Sequence, residues 1–377
     1  MIKNALIVGG GIGGLSAGIA LSKKGIAVDL VEIQSEYNVY GVGIIQQANA
    51  LRALDVLGVA DEAMRLGSPY GKVKLCAPHG MVIGETGTPP IGRFPSHNGI
   101  SRKILHDILL HAAKENNVNI SMGTTVQSIV QHDETSTITF TNGVTSDYDL
   151  VIGADGIHSK LRKLVFGDFT PTYIGSSVWR YPLKRPDDLE TGYMFFGKKV
   201  KLGLIPMTAD TIYMFVVSAE GAENPLIPKD ELIPKLRSYV QSFPAPMVQR
   251  VLDQITDPNQ VIYRPLETLM MPLPWYKNNV VIIGDAAHAT IPQMGSGAAL
   301  AVEDAVVIAE EVSAGGSMEE IMSRYIDRRY ARCKAVVDAS NKLAEWEQLE
   351  WNGLPLPEGA NVGALMGSTL MMLSQPI

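Results

Sequence analysis

Apolar positions along the chain fall into short unbroken runs separated by segments of helical spacing, and their order predicts a βαβ start. Residues 5–8 form an apolar run of strand length, residues 15–24 have helical composition up to Gly25, and residues 26–32 are a second, β-branched run. Residues 39–58 read as a loop passing into a helix, because Ala48, Leu51, Leu54 and Leu57 fall on one face. Residues 87–99 are rich in Pro and Gly and predict an irregular crossing between layers, a candidate domain boundary. Residues 102–116 look helical. Strand-like runs follow at 118–122, 126–131 and 137–141, and Asn142-Gly143 is a turn signal before 147–153, so a hairpin returns the chain to the first unit.

Between 171 and 276 alternating runs such as 201–205 and 211–217 predict antiparallel strands, with a helix near 229–243. An apolar strand returns at 279–283, and a helix follows at 298–313. Ser317 with Glu320 three residues on is a capping box, which opens a helix through about residue 350. The discontinuous pattern predicts a nucleotide-binding domain from 1–70, 99–170 and 277–345, a second domain from 71–98 and 171–276, and a C-terminal extension over 346–377.

Composition narrows the partners. The chain of 377 residues is 46% hydrophobic and 19% charged, enough for a substantial core, and its net charge of -7 disfavours nucleic acid or an anionic membrane. Cys76 and Cys333 share no metal or redox spacing, so no metal site and no disulfide framework is expected. With no signal-like segment ahead of the first strand and no apolar stretch of membrane-spanning length, the cytoplasm is the expected location.

Gly9, Gly11 and Gly14 form G-x-G-x-x-G between a strand and a helix. The first glycine permits the turn, the second admits a pyrophosphate to the backbone, the third allows close packing, and the helix N-terminus favours an anion. Glu32, ending the second strand, can accept hydrogen bonds from ribose hydroxyls. This motif alone leaves FAD and NAD both open.

Two later segments separate them. Asp155, Gly156, Ser159 and Arg162 form DG-x-x-S-x-x-R, and Gly284-Asp285 follows a strand. With the opening glycines, these resemble the single-component FAD-dependent aromatic-ring monooxygenases, in the salicylate hydroxylase and 6-hydroxynicotinate monooxygenase branch, over residues 1–345 or so. The resemblance implies an α/β fold, in which a Rossmann-like FAD-binding domain carries a mixed, antiparallel-sheet substrate domain of the p-hydroxybenzoate hydroxylase kind and a C-terminal helical segment. It places Asp285 on a ribityl hydroxyl of FAD, Asp155 and the DG motif at the pyrophosphate, and Arg102 at the phosphate–ribityl region. Ile12 and Val126 are placed beside the cofactor by the same likeness.

Pro292, Gly295, Ser296, Gly297 and Ala298 make a glycine loop at a helix N-terminus, suited to negative charge on a reduced flavin. The family usually has Gln where Ser296 stands and often Asn where Ala299 stands, and many relatives have an arginine near Asn38. The resemblance further implies NADH or NADPH as a transient co-substrate, O2, a flavin C4a-hydroperoxide, and a small electron-rich aromatic or N-heterocyclic substrate, in a monomer or homodimer. For substrate contact the candidates are Tyr213, Lys201, Arg180 and Tyr181, with Tyr213 favoured because a phenol can relay a proton while lying beside an aromatic ring. His288 is expected to orient the GD segment.

Overall fold

The computed structural model describes residues 2–37, 42–223 and 225–377. Asn38, and residues 39–41 at the start of the predicted loop, lie outside the described residues.

The apolar runs of the first unit assemble into a six-stranded sheet in the order Tyr276–Lys277, Val280–Ile282, Leu150–Gly153, Asn4–Val8, Ala27–Glu32, Asn119–Met122. Neighbours are parallel except for the edge strand Tyr276–Lys277. Parallel strands buried on both faces need no polar alternation, which is why residues 5–8 read as one unbroken run. Successive side chains still point to opposite layers. Ala5 and Ile7 pack into the helical layer of Ile12–Ser22 and Gly297–Ala314, while Leu6 and Val8 pack beneath the antiparallel sheet of Val126–Gln131, Ser136–Phe140 and Thr145–Tyr148.

A seven-stranded mixed sheet forms the second layer system, in the order Ile262–Thr268, Thr172–Lys184, Thr211–Ala219, Val200–Pro206, Gly192–Gly197, Val73–Cys76, Val82–Thr86. One face carries Trp179, Tyr181, Leu202, Leu204, Met214 and Val216 into a core closed by the helices Leu232–Gln241 and Pro246–Leu252. The other carries Val178, Arg180, Lys201, Ile205, Tyr213, Phe215 and Val217, by the same alternation and register. A small sheet of Gly43–Gln47, His97–Ser101 and Ser68–Tyr70 lies against that second face.

Several expectations need correcting. Residues 43–47 are a strand rather than part of a loop, and the Pro/Gly crossing ends in the strand His97–Ser101; both pair only with distant segments, so no local pattern marks them. The run 147–153 divides at Asp149 into strands of two different sheets, and the Asp149 carboxylate accepts the Lys3 N–H at 2.6 Å. The helix expected over 229–243 begins as a 3-10 turn at Lys229–Glu231, and a further helix at Pro246–Leu252 starts on Pro246, whose ring is preset for a first helical position. Ser317 and Glu320 do form the capping box, opening Met318–Trp351.

Candidate functional site

The first turn is built by close backbone approach. Gly9 has φ +109°, and a Cβ on Gly14 would stand 1.9 Å from Gly9 O, so only glycine lets the helix Ile12–Ser22 sit so near the strand. A Cβ on Gly11, by contrast, would meet open space, and the helix has neither a side-chain cap nor an acid in its first turn. Uncapped N–H groups facing open space at the positive end of a dipole are a seat for an anion. Glu32 closes the adjacent edge: Oε2 accepts the Gly10 N–H at 2.8 Å and Oε1 the Gln34 N–H at 2.9 Å, each oxygen keeping a second lone pair.

The DG segment latches onto the GD segment. Asp155 accepts from Ser159 Oγ and from the N–H of Lys160 at 2.8 Å, and Ser159 Oγ caps the helix Lys160–Phe166 by accepting the Arg162 N–H at 2.9 Å. Arg162 is buried and donates to Ala286 O at 2.9 Å and Ile157 O at 2.7 Å. Its guanidinium is thus committed to backbone carbonyls. Val126 is buried in the core at the head of its strand.

Beneath the GD turn lies a buried ionic network. Asp304 accepts the Gly284 N–H at 2.8 Å, His288 Nε2 at 2.6 Å and Arg329 Nε at 2.7 Å, while Glu303 takes Arg329, Arg332 and Asn49. Burial alone would raise the Asp304 carboxyl, but His288, Arg329 and the Gly284 N–H hold it well below the ordinary range. Gly284, with φ +58°, then turns Asp285 outward. Asp285 is exposed and accepts no hydrogen bond from a described residue, while desolvation by the surrounding protein raises its pKa, with His288 and Arg102 pulling it down.

The loop at 292–297 is fixed from the small sheet. Gln47 Nε2 donates to Met294 O at 2.9 Å, and Ser296 Oγ stands 2.7 Å from Gln47 Oε1. Gly295 has φ +62°, and the helix Gly297–Ala314 starts with no side-chain cap, so its first N–H groups, that of Ala298 included, are left without a side-chain partner.

On the seven-stranded sheet, Arg180 is partly buried and makes no ion pair or hydrogen bond with a described residue. Burial and then repulsion from Arg102 push its guanidinium down to about 10. Tyr213 is buried beside it, pushed up to about 12 by burial while Arg180 and Arg102 pull the other way. Its ring lies flat on Gly43, where a Cβ would stand 1.8 Å from Cδ1. Lys201 shares that face but is neutralised: Nζ is 2.6 Å from Glu347 Oε1, and Glu347 Oε2 accepts from Gln293 at 3.3 Å. Tyr181 points to the opposite face, where its hydroxyl accepts the N–H groups of Thr256 and Asp257 at 3.2 and 3.1 Å. The site therefore brings together Arg180 and Tyr213, holds Lys201 by an ion pair, and excludes Tyr181.

Comparison with known proteins decides between the two dinucleotides. The FAD binding domain family matches residues 3–340. The chain belongs to this family. YetM of Bacillus subtilis, which carries the name of an FAD-dependent monooxygenase, is 32% identical over 91% of this chain and 93% of its own. The FAD-dependent urate hydroxylase of Klebsiella pneumoniae is 30% identical over 90% and 89%. A substituted form of Klebsiella pneumoniae HpxO with bound FAD superposes with a TM-score of 0.85 at 25% identity, covering 99% of both chains. The protein is an FAD-dependent monooxygenase of p-hydroxybenzoate hydroxylase-like fold.

For this flavoenzyme the residues fit the cofactor: an open cradle at Gly11, two uncapped helix N-termini and an unpartnered carboxylate at Asp285. Sequence motifs do not reveal the parts that act through other residues. Tyr37 covers Gly10 and lies tilted against His106, which hydrogen-bonds Gly10 O at 2.9 Å, and burial followed by Glu32 pushes Tyr37 up to about 12. Gln47 and Glu347 reach the loop from strand and helix. No helix among the described residues is long and apolar enough to cross a membrane.

Proposed function

We propose that this monooxygenase hydroxylates a small, electron-rich aromatic or N-heterocyclic substrate with O2 and NAD(P)H. The observation that carries the reading is Arg180: a partly buried guanidinium without an ion-pair or hydrogen-bond partner among the described residues, beside Tyr213 on a largely apolar sheet face. A partly desolvated cation with no counter-charge is costly. A substrate phenolate, enolate or carboxylate offsets that cost, and the neutralised Lys201 leaves Arg180 to receive it. Relatives named for urate, for 3-hydroxybenzoate and for 2-heptyl-3-hydroxy-4(1H)-quinolone are in keeping with a planar, oxygen-bearing ring.

Bound FAD supplies the reductive activation of O2. The chain's own groups supply the rest. The Gly9–Gly11–Gly14 turn with the N-terminus of Ile12–Ser22 seats the pyrophosphate, Glu32 accepts ribose hydroxyls, and Asp285 and Arg102 address the ribityl–phosphate region. The N–H groups at residues 297 and 298 meet negative charge on the reduced ring, with Pro292, Gly295 and Ser296 shaping the loop. Arg180 stabilises the deprotonated, more electron-rich substrate, Tyr213 donates or relays a proton at that oxygen, and the apolar face of Val178, Phe215 and Ile205 excludes water. A cytoplasmic setting accords with two buried free cysteines.

The decisive experiment supplies the FAD-loaded protein with hydroxylated benzoates, pyridines and fused N-heterocycles and measures NAD(P)H oxidation and product mass. One aromatic should accelerate oxidation and gain one oxygen atom. A protein that takes up FAD yet yields no oxygenated product from any of them would refute the reading.

A further inference from the structure

The small sheet supplies the pocket with a residue that none of the motifs contains. Tyr70 ends the strand Ser68–Tyr70 and pairs directly with His97, which pairs directly with Gln47. Residues opposite one another in a sheet share a face, and so do alternate residues along a strand. Tyr70, His97 and Gln47 therefore form one row, with Ile45 and Gly43 continuing the same face. This face packs toward Tyr213 and the loop at 292–297, the two sides of the proposed substrate site: Gln47 bonds Met294 and Ser296 of the loop, and Tyr213 lies against Gly43.

Tyr70 is held rigidly there. Its ring stacks on His97 with centroids 5.0 Å apart, and His97 Nδ1 donates to Gly71 O at 2.6 Å. Only 6% of the residue is exposed, and its hydroxyl, fully buried, has no hydrogen-bond partner among the described residues. Phenylalanine would fill the same space without stranding a polar atom, since an unpaired buried hydroxyl lowers stability. Tyr70 and Tyr213 belong to one apolar cluster with Ile205 and Met207, and each lies within electrostatic reach of the other, as Tyr213 does of Arg180.

We propose that Tyr70 is a substrate-binding and specificity-determining residue, whose hydroxyl, together with that of Tyr213, hydrogen-bonds a ring heteroatom or oxygen substituent of the aromatic substrate. This rests on the aromatic-substrate reading above and deepens it. Tyr213 sits near the cationic end at Arg180, and Tyr70 extends the row of donors along the small sheet. Substrates bearing an acceptor at each end are selected over those with one, because an analogue lacking the second acceptor leaves a buried hydroxyl unpaired.

Tyr70→Phe tests this, because it keeps the ring stacked on His97 and removes one oxygen. The FAD-loaded wild type and variant are titrated with 3-hydroxybenzoate, 6-hydroxynicotinate, urate and 4-quinolone, with binding read from the flavin absorbance and Tm measured in parallel. The variant should bind the tightest probe at least tenfold more weakly, retain FAD, and keep an equal or higher Tm. Unchanged affinity overturns the proposal, and so does weaker binding accompanied by lost FAD or a lowered Tm, which would make the hydroxyl structural. If no probe perturbs the wild-type flavin, the aromatic-substrate reading itself fails and this inference falls with it.

Discussion

Asp285 shows at the scale of one residue how position outweighs identity. The Gly284-Asp285 pair was legible in the sequence, but a helix N-cap would have produced the same two letters. Gly284 turns its N–H toward Asp304 and directs the Asp285 carboxylate outward, with no protein donor to satisfy it. Asp285→Ala should therefore lose bound flavin while the chain stays folded, measured as FAD content per chain and Tm. Proton linkage sharpens this. The surrounding protein raises the Asp285 pKa above its ordinary 3.8, and a hydroxyl donor on FAD favours the ionised form. FAD affinity should thus fall on acidification, starting above the usual aspartate range, and Asp285→Asn should bind weakly with no such step. Arg180 was named as one of four candidates, and only its lack of a partner sets it apart. Arg180→Met should raise KM for an anionic substrate by about 10- to 100-fold, the worth of a charged hydrogen bond of about 1.5–3 kcal/mol. Flavin content should stay constant, and Tm of the substrate-free protein should not fall, since a partly desolvated charge with no partner among the described residues has been removed.

Among the elements, legibility followed the range of the contacts. The strand of residues 5–8, the helix after the glycines and the long capped helix carry their signals within a few residues, and all three form nearly where expected. The strands Gly43–Gln47 and His97–Ser101 carry none, because each is stabilised by a partner about fifty residues away and by the sheet behind it, so the stretch that fixes the flavin loop read as a loop. Lys201 was likewise legible as a cation on a strand, whereas its neutraliser Glu347 sits far along the chain on what looks like a solvated helix face. The glycine turn combines both kinds of information. Its spacing predicts a close approach, and the 1.9 Å between a Gly14 Cβ and Gly9 O makes that approach a requirement. Gly14→Ala should push the helix away from the strand, cost about 1–3 kcal/mol as overpacking does, and weaken FAD binding together with stability. Thermal unfolding and FAD titration of the same preparation would check it. An alanine variant with unchanged Tm would mean that the helix tolerates displacement.

Across the whole molecule, the turns proposed to face the flavin rest on a network of charges buried behind them. Arg329, fully buried, donates to Asp304 and Glu303 and reaches Leu300 O, tying the long helix Met318–Trp351 to the helix that follows the flavin loop. Arg332 continues the chain of contacts from Glu303 to the carbonyls of Met372 and Leu373, so the C-terminal helix Val362–Ser374 is docked through the same network. Nothing local in the sequence marks these residues as paired, since their partners lie 25 to 41 positions away. An isolated ionic cluster in a core is not stabilising for being ionic, and well-packed apolar residues could replace all of it. Deleting one member is different, because the remaining carboxylates keep their burial and lose their compensation. Arg329→Met should thus cost about 3–5 kcal/mol, the penalty for leaving a buried charge unpaired. The effect should extend to the cofactor, because Asp304 positions the Gly284 N–H and hence the turn carrying Asp285. The measurable signature is a lowered Tm together with weaker FAD binding, and saturating FAD should recover part of the lost Tm by mass action. A variant that unfolds earlier yet binds FAD with wild-type affinity would separate the network from the site and confine Arg329 to holding the helices together.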